Sequence, residues 1–388
     1  MHKYRLLGKK GEGTFSEVLK AQDIKSNKMV AIKCMKNHFD DVNQVNRLRE
    51  IQALRRLAPH ANIIKLHEVL YDRSTGRLAL VFELMDMNIY ELIRGRRQYL
   101  PDDKVLHYMY QMMKGIDHTH RNGIFHRDIK PENVLILNDA LKLADFGSCR
   151  GIYSKQPFTE YISTRWYRAP ECLLTDGYYN YKMDVWGAGC VFFEIMSLYP
   201  LFPGNNELDQ LHKIHSIMGT PPKDLLKKLA RYGNHMDFDF PVRTGTGIAK
   251  LVPHVSPDAL DLLQKLLTYN PDDRPSAKQA LRHPYFKEIR ELDKKLRKQK
   301  QPSGTAGDNS DEDEQSNTNG MLDKEDGGKE TTDKLPPLGG GTIGGAQAGA
   351  STGGQLPSLP TKAPRRTSIQ KKEDSTKILP KLAPLGKK

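Results

Sequence analysis

Cysteine is scarce in this chain: four among 388 residues, at positions 34, 149, 172 and 190. They show no metal-ligand spacing, so neither a disulfide framework nor a zinc module organises the sequence, and reduced thiols inside a cell are expected. No apolar run reaches the length of a membrane span, and Met1-His2-Lys3-Tyr4 is expected to lead straight into structure, with no signal peptide expected. Lipidation signals are missing as well: position 2 is His, and the sequence ends Gly386-Lys387-Lys388. From about Gln301 onward aromatic residues disappear, and Gly, Pro, Ser, Thr and Lys dominate. Such a segment cannot bury enough apolar surface to offset its ordering entropy. Residues 301–388 are therefore expected to be disordered and the preceding 300 to fold.

The tail holds 12 basic and 12 acidic residues, so the formal charge of +13 lies in the folded part. A basic surface suits nucleotide phosphates and phosphorylated or acidic partners as well as polyanions. No aromatic-and-basic module for reading nucleic acid is present, so nucleic acid is not an expected partner.

The densest chemistry lies in His126-Arg127-Asp128-Ile129-Lys130-Pro131-Glu132-Asn133, directly before the apolar run Val134-Leu135-Ile136-Leu137. Short aliphatic runs favour strand, so the polar cluster reads as a loop feeding a strand. Asp145-Phe146-Gly147 follows, with a second acid on a turn. Two acids and an amide this close suit magnesium held against phosphate. Upstream, Leu6 to Val18 reads strand, glycine turn, strand, and Val30-Ala31-Ile32 ends on Lys33. Glycines there let a backbone approach phosphates. Val45, Leu48, Ile51, Leu54 and Leu57 predict one helix over Val42 to Leu57, and Val105 to Ile116 an amphipathic helix whose methionines fill core.

In this order the residues resemble the Gly-rich loop, lysine strand, catalytic loop and metal-binding turn of the protein kinases. Phe158-Thr159-Glu160-Tyr161, followed by Thr164-Arg165-Trp166-Tyr167-Arg168-Ala169-Pro170-Glu171, is similar to the activation segment of the mitogen-activated and cyclin-dependent group. Within that group the nearest resemblance is to the male-germ-cell-associated and intestinal-cell-type branch. It covers roughly Tyr4 to Phe286 and departs from the pattern at Ser16, where the third loop glycine is expected.

The resemblance implies an α+β, two-lobed kinase fold. A small, mostly β N-lobe with its hinge would span 1–85 and a larger, mostly α C-lobe 86–286. A basic helical extension over 287–300 and the disordered tail follow. It implies ATP and Mg2+ as cofactors and protein Ser/Thr hydroxyls as acceptors. Asp128 would take the hydroxyl proton and Lys130 steady the moving phosphate. Asn133 and Asp145 would hold magnesium, and Lys33, braced by Glu50, would pair phosphates. Gly11, Glu12 and Gly13 would cover the nucleotide, with Val18, Ala31 and Leu135 on the faces of the base and Glu83 and Met85 on its edge; Phe82 would close the back. Thr159 and Tyr161 would be phosphorylation sites, received by Arg49, Arg127 and Arg150 and by Arg165 and Arg168 respectively. Arg274 would pair with Glu171, Gly204 to Val252 would form a long irregular insert, and Arg168 would shape a pocket favouring proline after the target residue. A monomer in the cytoplasm is expected, activated by an upstream kinase or by itself, and the resemblance adds the nucleus and cilium. The rival reading is a pseudokinase scaffold that binds partners through its tail, although Lys33, Asp128, Asn133 and Asp145 are all retained.

Overall fold

The computed structural model describes residues 3–159, 164–234 and 237–300. Tyr161 and the tail from 301 onward lie outside the described residues. Five antiparallel strands form the first sheet: β1 (Tyr4–Glu12), β2 (Ser16–Asp23), β3 (Met29–His38), β4 (Leu66–Asp72) and β5 (Arg77–Glu83), in the order β1-β2-β3-β5-β4. Side chains alternate across such a sheet. Ala79 and Val81 therefore pack with Ala21, Val30 and Ile32, while Leu78, Leu80 and Phe82 turn to the main core.

The helix expected over Val42 to Leu57 is two helices, α1 (Val42–Asn46) and α2 (Arg49–Leu57). Leu48 between them is extended, at φ −61° and ψ 125°. Asp41 caps the first helix by accepting from the Gln44 N–H. The apolar spacing runs on through the break, because Val45, Ile51, Leu54 and Leu57 all still reach the core.

The remainder is mainly helical: α3 (Ile89–Ile93), α4 (Asp102–Arg121), α5 (Pro170–Leu174), α6 (Met183–Ser197), α7 (Glu207–Met218), α8 (Lys223–Ala230), α9 (Pro257–Leu266), α10 (Ala277–Ala280) and α11 (Lys287–Lys300). Every residue of α6 is buried, as expected for a central helix that is apolar nearly all round. The methionines of α4 are core, with Met109, Met112 and Met113 fully buried. The insert is more ordered than its sequence implies, since it holds α7 and α8. Leu211, Ile214 and His215 of α7 and Leu226 and Leu229 of α8 bury one helical face each. Helix α11 docks on α4 through Asp293, which accepts from Tyr110 Oη at 3.1 Å and Lys114 Nζ at 3.3 Å.

Short strands carry the chemistry: β6 (Met87–Asn88), β7 (Ile124–Phe125), β8 (Val134–Leu137), β9 (Ala140–Leu143) and β10 (Arg150–Gly151). Strands β6, β8 and β9 make one sheet, and β7 pairs with β10. The loop between β7 and β8 crosses α6 at Gly187, where an added Cβ would lie 3.1 Å from Ile129 Cβ and its carbonyl oxygen. A glycine keeps that approach free of a tight contact.

Candidate active site

A cleft of about 580 Å³ opens beneath β1 and β2. Its lining includes Gly11, Glu12, Gly13, Val18, Ala31, Lys33, Glu50, Glu83, Met85, Lys130, Asn133, Leu135 and Asp145, with Phe82 and Ser16. Lys33 lies in the middle of β3, between Val18 of β2 and Leu80 of β5. Its Nζ donates to both carboxylate oxygens of Glu50, at 2.8 and 2.9 Å, and to Asp145 Oδ1 at 3.0 Å. Burial works against the ammonium, but the two carboxylates outweigh it and hold its pKa above the ordinary value. Burial raises the Glu50 carboxyl despite Lys33. For Asp145 burial also acts upward, yet Lys33 prevails and the pKa falls. Asp145 thus stays an anion at neutral pH, and its side chain is 49% open to solvent. Its backbone is left-handed at φ +60°, a conformation Asp tolerates better than most residues.

Glu83 of the cleft lining already has protein partners. The Glu83 N–H already donates to the Lys65 carbonyl at 3.2 Å. Its carboxylate is held by the Lys65 N–H at 2.7 Å and by Lys142 Nζ at 3.0 Å.

Below the cleft, Asp128 Oδ2 accepts from Asn133 Nδ2 at 2.8 Å and pairs with Lys130 Nζ at 2.9 Å. Asn133 Nδ2 also donates to the Asp128 carbonyl at 2.9 Å. Both amide hydrogens are therefore used, and the Asn133 oxygen is what remains for a cation. Asp128 Oδ1 is buried with no partner among the described residues. An acceptor in that position is costly unless a ligand uses it.

The loop is held from below by a residue the sequence did not single out for this role. Asp184, in the first turn of α6, accepts from the His126 N–H at 2.7 Å, the Arg127 N–H at 2.8 Å and His120 Nε2 at 2.9 Å. Burial pushes its carboxyl up, but these donors outweigh burial and keep it ionised. Arg127 takes φ +69°, and the two backbone bonds to Asp184 hold that turn. The sequence signal was Asp184 itself, an acid in the first turn of a mainly apolar helix.

Arg49, Arg127 and Arg150 gather beside this loop. Burial lowers the pKa of Arg49 and Arg150, and the neighbouring guanidiniums lower both further. Arg127 Nε donates to the Ser148 carbonyl at 2.6 Å and its Nη1 to Tyr179 Oη at 2.9 Å. Tyr179 in turn donates to the Thr159 carbonyl at 2.7 Å. Arg150 Nε is buried without a partner among the described residues. Thr159 is exposed, one residue after Phe158, which is packed against Phe125 and Tyr179. Arg165 donates to the Asn205 carbonyl at 3.1 Å, and buried Arg168 pairs with Glu207 at 3.0 Å. Trp166 Nε1 reaches the Gly204 carbonyl at 3.0 Å, so residues 165–168 rest on the start of the insert. Glu171 and Arg274 form a two-pronged pair at 2.8 and 2.9 Å, both fully buried.

These residues fit a magnesium nucleotide. Among the described residues no three His, Cys, Asp or Glu side chains could hold an ion by themselves. Magnesium does not need such a cage, since it is commonly held by one or two carboxylates together with substrate phosphates. Asp145 and the Asn133 oxygen meet that description.

The description "Protein kinase domain" matches residues 4–286. The human MAPK/MAK/MRK overlapping kinase is 62% identical over 295 residues, which cover 76% of this chain and 70% of that protein. Its mouse counterpart is 62% identical over 286 residues, covering 74% and 68%. The human serine/threonine-protein kinase MAK is 40% identical over 287 residues, covering 74% of this chain and 46% of its own length. No helix among the described residues is long and apolar enough to cross a membrane. The chain belongs to the protein kinase family, as an ATP- and Mg2+-dependent serine/threonine kinase with protein substrates.

Proposed function

We propose that Asp128 is the base for the substrate hydroxyl and that the chain is a proline-directed kinase switched on at Thr159 and Tyr161. The observation that carries the reading is Asp128 Oδ1, buried without a partner among the described residues, on a side chain bound to Lys130 and Asn133, which line the cleft together with Asp145 and Lys33. ATP with magnesium supplies the transferable phosphoryl group. Asp128 accepts the hydroxyl proton at Oδ1, while Lys130 and Asn133 fix its other oxygen. Lys33, aligned by Glu50, neutralises phosphate charge. Little covalent chemistry is asked of the protein in such transfers; position and charge supply most of the effect.

Arg168 underlies the peptide preference. Tied to Glu207, with Arg165 and Trp166 bound to Asn205 and Gly204, it belongs to a fixed platform. Peptides with Pro after the target Ser or Thr are expected to exceed their Ala counterparts in kcat/KM by at least about tenfold, equivalent to ~1.4 kcal/mol. Equal values for the two peptides would remove the proline reading.

Support for the switch is the group of three arginines beside exposed Thr159. A phosphate adds charge and three acceptor oxygens, and clustered guanidiniums are its usual receivers. Thr159→Val should then act as the dephosphorylated enzyme does, with Tyr161→Phe testing the other half. Retained full activity in both variants would discard the switch. The chain acts as a monomer in this reading, with either another kinase or itself writing the marks.

A further inference from the structure

The ladder between β1 and β2 slips at Lys10. Lys9 faces Leu19 and Gly11 faces Val18, so Lys10 is the additional residue of a bulge. A bulge leaves its extra residue unpaired and redirects the side chain. Here Lys10 Nζ donates to the Asp86 carbonyl at 2.8 Å. Asp86 follows Met85 on the segment joining the two halves of the cleft, and its own N–H donates to the Ile136 carbonyl of β8 at 3.0 Å. The bond therefore ties the roof strand to a segment that is itself anchored to the lower sheet. Lys10 lines the cleft, as do Met87, Asn88 and Glu91 beyond Asp86. Nearer the glycine turn the same roof is fixed a second time, where Lys36 of β3 and Lys9 both pair with Glu12. Gly11 lies between the two fastenings.

We propose that Lys10 is a strap across the mouth of the nucleotide cleft, a positioning residue on which nucleotide retention depends and phosphoryl transfer does not. A nucleotide enters and leaves past the roof strand, and the ammonium–carbonyl bond favours the closed roof. The bond is exposed, so its worth is modest. Losing it should weaken nucleotide binding about three- to tenfold, the range for an ordinary hydrogen bond, because solvent exposure takes away the extra strength that the charge would give.

The inference rests on the nucleotide reading of the cleft, and the test separates the two. The Kd of ADP with magnesium is measured on the full chain for wild type, Lys10→Met and Lys10→Arg, beside KM for ATP and kcat. Lys10→Met keeps the stem and removes the charge. It should raise the ADP Kd and the ATP KM about three- to tenfold without lowering kcat, and Lys10→Arg, which keeps a donor, should return both most of the way. Equal ADP binding by wild type and Lys10→Met overturns the strap alone. A drop in kcat at unchanged ADP affinity overturns it too, by making Lys10 part of the transfer step. Failure of the wild type to bind ADP overturns the cleft reading and the strap together.

Discussion

Asp128→Asn should lower kcat by about 10²–10⁴-fold, the range for a lost general base, and leave the ATP KM and the melting temperature near wild type. The two oxygens of Asp128 are in different surroundings. Oδ2 faces two donors, Asn133 Nδ2 and Lys130 Nζ. An asparagine would turn its oxygen toward them, because the reverse orientation sets N–H groups against N–H groups. Its NH2 then replaces Oδ1, the acceptor that has no partner among the described residues. Packing and both existing contacts survive, and what vanishes is the ability to receive a proton. A single-turnover assay with saturating ATP isolates the step. A rate within about tenfold of wild type would sink the assignment of Asp128 as base and return the role to solvent.

Arg274→Met should destabilise the fold by about 3–5 kcal/mol, because it strands a buried carboxylate. Arg274 is fully buried, and besides Glu171 it serves three carbonyls, those of Thr268, Lys182 and Tyr269. Its guanidinium also lies 5.2 Å from the centre of the Trp186 ring. No methionine replaces those donors. Glu171 opens α5 directly after the platform of residues 165–168, so the damage should extend to peptide binding and raise the peptide KM. Arg274→Lys retains the charge but not the fork and should fall between the two. Urea denaturation of all three proteins measures this. A loss below about 1 kcal/mol for Arg274→Met would mean that water or repacking takes over the role of the pair.

How much of this could be read from sequence depended on the kind of constraint involved. Lys33, Asp128, Asn133 and Asp145 were legible because phosphate chemistry restricts residue type and local order fixes spacing. The two-lobed architecture followed from the same motifs. The break at Leu48 was not legible, since the apolar rhythm of the two helices continues across it. Helices α7 and α8 were overlooked for a different reason. Their buried faces are only two to four residues wide, and the irregular insert came from the family resemblance and not from the residues themselves. Asp184 works across 57 and 58 positions of sequence, bonding the main chain of His126 and Arg127, and a main-chain donor leaves no mark on residue identity. Lys10 was hidden because a bulge shifts register without altering composition. The paired states of Arg168 and Glu83 were likewise set by partners the sequence does not place nearby.

Helix α11 changes where the physical unit ends. The family match stops at Phe286, yet Ile289 packs against the main core and Arg290 Nη1 donates to the Leu281 carbonyl at 2.8 Å. Asp293 takes bonds from Tyr110 and Lys114 of α4 and from Arg297 within its own helix. A gene fragment trimmed to the family boundary would discard that cover and bare the Tyr110 side of α4. Poor yield of such a fragment would reflect the scissors rather than the catalytic unit, and cloning this protein for assay calls for a stop codon placed after Arg297.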